Sequence, residues 1–151
     1  MKKPTAFIFL LFVFISCQDN VTFNSPSFQG LKDNIFWRAV DSKATLSAGS
    51  ITIEGFTSKE KVTLKTASIN TGTYILGTGN VNTATYILID TNGTLTFSTG
   101  DARGNGEIVI DKYDAINNTI SGTFKFNVKN ENDGSSLNFQ KGVFYKVPIT
   151  N

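Results

Sequence analysis

The residues able to do chemistry are few, and what is missing narrows the field most. The sequence holds no histidine and a single cysteine, Cys17. Ser-His-Asp and Cys-His catalysis, His-ligated zinc and histidine as a general base are therefore excluded. One cysteine allows no intramolecular disulfide. Carboxylates remain, because a glycosidase needs only two acids about 5–9.5 Å apart. Glu54, Glu107 and Asp111 are the acids that fall on expected strands. With a period of two, Glu107 and Asp111 share a side with Val109, opposite Ile108 and Ile110. That puts both acids on a solvent face, where solvated charge is the default.

Asp101, Asn105 and Glu107 in the loop over 100–106 offer oxygen ligands of the kind calcium takes. Their spacing matches no EF-hand, and Gly104 and Gly106 suit a turn. Neither a metal nor another cofactor is therefore expected. Aromatic side chains are the third resource. Phe36 and Trp37 are neighbours on one strand and cannot both point inward, so one of them is either exposed, where it could meet a ligand or partner, or buried by a neighbouring loop. Tyr74, Tyr86, Tyr113 and Tyr145 could extend such a platform. Phe144 falls on the polar parity of its strand. Phe36, Trp37, Tyr113 and Phe144 are thus the candidate contact residues, with core packing as the competing role.

Cys17 has its own context. Met1-Lys2-Lys3 is followed by ten uninterrupted apolar residues, Ala6 to Ile15. That run suits the apolar region of a signal peptide and is too short to span a bilayer, which takes about 20 residues. It ends in Phe14-Ile15-Ser16-Cys17, which resembles the lipobox of bacterial lipoproteins, although Phe14 stands where Leu is usual. The resemblance implies cleavage between Ser16 and Cys17 and a diacylglyceryl group on the Cys17 thiol. An ordinary secretory signal ending at a chance cysteine is the alternative. The lone cysteine falling at the required position favours the lipobox. Two or more acyl chains give stable membrane attachment where one does not.

Residues 1–16 are accordingly read as a leader, 17–27 as an acylated cysteine and tether, and 28–151 as one domain. Gln18 does not resemble the Asp that retains some lipoproteins in the inner membrane. Asp19 resembles the surface-export signals of Bacteroidota lipoproteins. The outer membrane is thus expected, on either its periplasmic face or the cell surface. Lys2 and Lys3 account for the whole formal charge of +2. The remainder is neutral, which argues against a nucleic-acid partner.

The elements that must position these residues are strands. Charged residues are only 17% of the chain and Pro is scarce, while Thr, Asn, Ser and Gly are abundant. Such a composition suits strands and tight turns. From Phe28 onward apolar residues alternate with period two. The clearest strand covers 119–129, with Ile120, Gly122, Phe124, Phe126 and Val128 on one face. With 106–113 and the loop Asp114 to Asn118 it forms a hairpin. Further strands are expected over 28–32, 35–40, 44–47, 50–56, 61–68, 73–76, 85–90, 95–98 and 137–147, the last interrupted at Lys141-Gly142 by a bulge. Short connections imply antiparallel neighbours. The expected fold is an antiparallel β-sandwich or flattened β-barrel of about nine to ten strands.

Three stretches carry a wider resemblance. They are Gly30 to Trp37, Gly72 to Gly77, and the hairpin running from Gly106 through Tyr113-Asp114 to Asn118-Thr119-Ile120-Ser121-Gly122-Thr123-Phe124. The chain resembles, over nearly its full length, a family of small flavobacterial-type Bacteroidota lipoproteins of unknown role. That resemblance implies an exported all-β domain and transfers no catalytic residue. The leading expectation is a non-enzymatic lipoprotein that binds a protein or glycan or supports an envelope assembly. The alternatives are a carrier with a small apolar ligand in a barrel cavity, and a carboxylate hydrolase.

Overall fold

A computed structural model describes residues 25–150; the leader, Cys17 and most of the tether lie outside the described residues. The domain has eleven strands and no helix among those residues. They are β1 (Ser27–Lys32), β2 (Ile35–Arg38), β3 (Asp41–Ser47), β4 (Ser50–Phe56), β5 (Glu60–Thr66) and β6 (Gly72–Leu76), followed by β7 (Thr83–Asp90), β8 (Gly93–Ser98), β9 (Asn105–Asp114), β10 (Thr119–Asn130) and β11 (Ser136–Thr150). The fold is all-β as the alternation implies, and each of the eleven stretches expected to be a strand contains one, against a rounded expectation of about nine to ten.

All eleven belong to one sheet, ordered β2-β1-β11-β3-β4-β5-β7-β8-β10-β9-β6, and β10 also pairs with β11. That extra pairing closes a ring through β3, β4, β5, β7, β8, β10 and β11. The β1–β2 hairpin hangs on β11, and β9 with β6 hangs on β10. The ring is narrow at two corners. β8 meets β10 only through Ser98↔Lys129 and Phe97↔Asn130. β11 meets β3 only through Ile149↔Ala44 and Thr150↔Thr45, and this contact is parallel. The architecture is thus a flattened barrel, with two broad faces joined by short corners. The parallel corner corrects the expectation of antiparallel neighbours throughout. The crossover that parallel strands require is here almost the whole domain, since β3 and β11 stand near its two ends.

Inward residues of the two faces meet in one core, including Ile51, Ile53, Val62, Leu64 and Tyr86 from one and Phe28, Ile108, Phe124, Phe126 and Phe139 from the other. Rings fill the middle. Phe126 and Phe139 have centroids 5.0 Å apart, Phe28 and Phe124 5.1 Å, and Trp37 stands edge-on to Phe139 at 5.5 Å. Such contacts each add about 0.5–1.5 kcal/mol beyond the area they bury.

β11 is bent twice. Lys141 and Lys146 have φ of 51° and 49°, in the left-handed region, and the register against β10 shifts on passing each of them. Each bulge inserts one residue and so exchanges the two faces of the strand. Phe139 points inward before the first bulge, Gly142 and Phe144 after it, and Val147 and Ile149 after the second. The bulge at Lys141 is the expected one; that at Lys146 is additional. Phe144 therefore does not lie on the polar face where uninterrupted period two would put it. It is fully buried, over Gly122, where a Cβ would collide with its ring at 2.5 Å.

Candidate functional site

Ser16 and Cys17, the expected cleavage and lipidation residues, lie outside the described residues. The four aromatic candidates divide evenly. Trp37 is 5% exposed and Phe144 is fully buried, both packed in the core. Phe36 is 62% exposed and Tyr113 39%. Trp37 points inward because β2 lies over the barrel and Trp37 shares its inner face with the β1 residue opposite, Gly30. Phe36 faces outward beside Leu31. The structure does not gather the four into one surface.

The acids likewise stay apart. Glu54 on β4 lies 3.3 Å from Lys61 Nζ and 3.8 Å from Lys43 Nζ. Glu107 on β9 pairs with Lys125 across the strand at 3.0 Å. Asp111 is exposed. Asn105 Oδ1 accepts a hydrogen bond from Asn127 Nδ2 at 2.7 Å rather than facing Asp101. Among the described residues, no three Cys, Asp or Glu side chains gather closely enough to hold a metal ion.

The densest polar constellation is one that the sequence reading passed over. Glu60 opens β5 and shares its inward side with Val62 and Leu64. Its Oε1 accepts the Tyr86 hydroxyl at 2.5 Å and pairs with Lys32 Nζ. Its Oε2 accepts Trp37 Nε1 at 2.9 Å and the Thr57 hydroxyl at 3.5 Å. Lys32 Nζ also donates to the Tyr86 oxygen at 3.0 Å. The preceding turn fixes the carboxylate. Thr57 Oγ1 accepts the Glu60 N–H at 2.9 Å, and the Thr57 N–H donates to the Glu60 carbonyl, also at 2.9 Å. Extending the alternation of Val62 and Leu64 back by two residues would have placed Glu60 inside.

Electrostatics within this cluster are settled by competition. For Glu60, burial is the largest influence and pushes its pKa up, but hydrogen bonds from Lys32, Tyr86 and Trp37 together hold it below the usual 4.5. For Lys32, burial pulls down, and its bonds to Glu60 and Tyr86 outweigh that and raise it. Burial, then the bond to Glu60, raises the Tyr86 phenol. The result is an ionised pair with a neutral phenol between. Both oxygens of Glu60 are taken by the protein's own donors, so the carboxylate has little capacity left to act as a base. The cluster plugs one end of the barrel and ties β1, β2, β5 and β7 together.

Open surface is found elsewhere. A groove of about 410 Å³ runs along the outer face of β2, β1 and β11, lined by Gln29, Arg38, Val143 and Tyr145. At the end of the barrel where the chain enters, Pro26 stands between two further grooves. Lys112, Asp114, Asn117 and Lys146 line one, and Val40, Asp41 and Pro148 line the other.

A closed, aromatic-filled ring with the part-buried Glu60 carboxylate saturated at its edge defines an all-β domain of flattened-barrel architecture with a packed interior. The chain belongs to the family described as a domain of unknown function, DUF6252, whose match covers residues 24–148. No curated protein and no solved structure matches it.

Proposed function

We propose that the protein is a lipoprotein of the Bacteroidota cell envelope, held in the outer membrane by acyl chains on Cys17. Its barrel would act there as a non-enzymatic binding or structural module. The observation that carries this reading is the placement of the only cysteine. It ends the apolar leader, and the first strand opens ten residues later, at Ser27. A folded domain so close behind an acylated residue is held near the membrane surface.

The packed interior supports binding through the outside of the barrel. A carrier needs an enclosed apolar volume, and here Phe28, Phe124, Phe126 and Phe139 occupy the centre in mutual contact. A carboxylate hydrolase needs two acids converging on a groove, whereas Glu54 and Glu107 each face lysines and Glu60 is saturated from within. Exposed Phe36 beside Leu31 and Arg38, next to the outer groove, is the surface where a protein or glycan contact is to be sought.

The test is labelling of cells with a clickable fatty acid, in wild type and Cys17→Ala, followed by protease shaving of intact cells. Label on the wild type alone is the expected result. Loss of the labelled protein on shaving assigns the outer leaflet, and protection assigns the periplasmic face. No label on the wild type overturns the proposal.

A further inference from the structure

We propose that the end of the barrel at which the chain enters rests on the bilayer, with Ile116 and Val40 inserted into its interfacial layer. The inference rests on the reading of Cys17 as lipid-bearing and adds a second, direct contact between domain and membrane. Ile116 is 95% exposed and Val40 86%, the two most exposed large apolar side chains among the described residues. Asp114 and Asn117, which flank Ile116 in its turn, line a groove on one side of Pro26, and Val40 lines a groove on the other.

Both are presented by ordered turns. Asp114 Oδ1 accepts the Ile116 N–H at 3.2 Å and the Asn117 N–H at 3.0 Å, and its Oδ2 accepts Asn117 Nδ2 at 3.0 Å. The β9–β10 turn is thereby folded with Ile116 at its tip. Val40 lies at the bend between β2 and β3, where its N–H donates to the Phe56 carbonyl at 2.7 Å. An ordered turn with an apolar tip loses little conformational freedom on insertion, which favours a weak contact.

The occupant follows from where the chain leads. Ser25 is eight residues from Cys17, so this end can lie no more than about 30 Å from the acylated residue. β1 carries the chain from Pro26 here to Lys32 in the Glu60 cluster, at the far end of that strand. Once the lipid is seated, docking of the domain is intramolecular, and two side chains suffice where they would not hold a free protein. Charge here is mixed, with Lys112 3.5 Å from Asp114 and Asp41 beside Val40. Docking is therefore by apolar insertion rather than attraction to anionic lipid.

The test uses the full acylated protein in phosphatidylcholine vesicles, with and without brominated acyl chains. An environment-sensitive fluorophore is attached to Ile116→Cys, Val40→Cys or, near the plugged end, Ile89→Cys. Cys17, as a thioether, does not react. Blue-shifted emission quenched by bromine at positions 116 and 40, water-like emission at 89, and no dependence on added anionic lipid are expected. Water-like emission at 116 and 40, with mass spectrometry confirming acyl chains on Cys17, overturns the docking and leaves the lipoprotein reading standing. Quenching at 89 instead overturns it in favour of the opposite orientation. A mass without acyl chains overturns both readings.

Discussion

The Tyr86 hydroxyl donates to Glu60 Oε1 at 2.5 Å across a diagonal of two antiparallel strands: Glu60 stands opposite Leu88, and Tyr86 lies two residues further along, opposite Val62. Diagonal neighbours on one face are within reach of a long or aromatic side chain. Because both residues point inward, the bond forms at the end of the core, where water competes poorly. Lys32 and Trp37 then attach the β1–β2 hairpin to the same carboxylate. A single acid thus closes one end of the barrel.

Removing that acid should cost more than removing any one of its donors. Glu60→Ala leaves the Trp37 N–H, the Tyr86 hydroxyl and the Lys32 ammonium without their acceptor, for an expected loss of about 2–3 kcal/mol. Tyr86→Phe removes one hydrogen bond and should cost about 1 kcal/mol. Urea denaturation of both single variants and the double variant checks this, and the pair should be non-additive because the two share one bond. Additive losses would show that the bond contributes nothing.

The same cluster, together with Asp114 and Asp133 in exposed turns, makes stability depend on pH at both extremes. Glu60, Asp114 and Asp133 all ionise below their usual values in the fold, Asp114 at about 2 because Asn117 donates to it from side chain and backbone. Their contribution is complete above the unfolded-state values near 4 and is lost as pH falls through the folded ones. Lys32 and Tyr86 are raised, so theirs is present below about pH 10 and lost as pH rises through the raised values. Thermal unfolding from pH 2 to 12 should show a flat maximum between these limbs. Glu60→Gln should flatten both limbs, because the bond to Glu60 is the strongest influence raising Lys32 and the second, after burial, raising Tyr86. An unchanged alkaline limb in that variant would refute the coupling.

Two aromatic residues with similar sequence surroundings should behave oppositely. Phe144 is fully buried, and Phe144→Ala should destabilise the domain by about 3–5 kcal/mol. Phe36, 62% exposed, should tolerate alanine within about 0.5 kcal/mol. Chemical denaturation of the two variants measures the difference directly. A large loss at Phe36 would mean that its surface is covered in the native protein.

The bulge at Lys141 offers a test of backbone rather than side-chain energetics. With φ at 51°, a β-branched residue there is strained, so Lys141→Val should cost at least about 1 kcal/mol. Lys141→Gly should be neutral or slightly stabilising, as relief of the left-handed strain offsets the greater freedom of glycine when unfolded. Melting temperatures of the pair report the sign. If Val is tolerated as well as Gly, the bulge is not a constraint on β11.

Much of this fold is legible in the residues. Period-two alternation in the stretch from Ile120 to Val128 identifies an inward face, and Asp114 to Asn118 and Asp90 to Gly93 announce their turns. The β4 strand, Ser50–Phe56, has the limits its sequence suggests. The candidate site was less legible. Trp37 and Tyr86 are conspicuous as aromatics, yet their shared partner is a glutamate at the start of a strand, flanked by Lys59 and Lys61 in what reads as a charged, solvated run. Only its alignment with Val62 and Leu64 distinguishes it.

The sequence by itself determined that the chain would form strands, which side of most of them would be apolar, and where most turns would fall. These are local properties, set by side-chain alternation and by the dihedral preferences of Gly, Asn and Asp. Tertiary structure alone decided that β11 would meet β10, β1 and β3, that the ring would close at two short corners, and that a second bulge would fall at Lys146. It also decided that Lys32, Trp37 and Tyr86 would converge on Glu60. The reason is physical. Alternation specifies a face, but the hydrogen-bonding edge of a strand is backbone, nearly the same in every strand, and which edges pair is settled only when the whole core is packed.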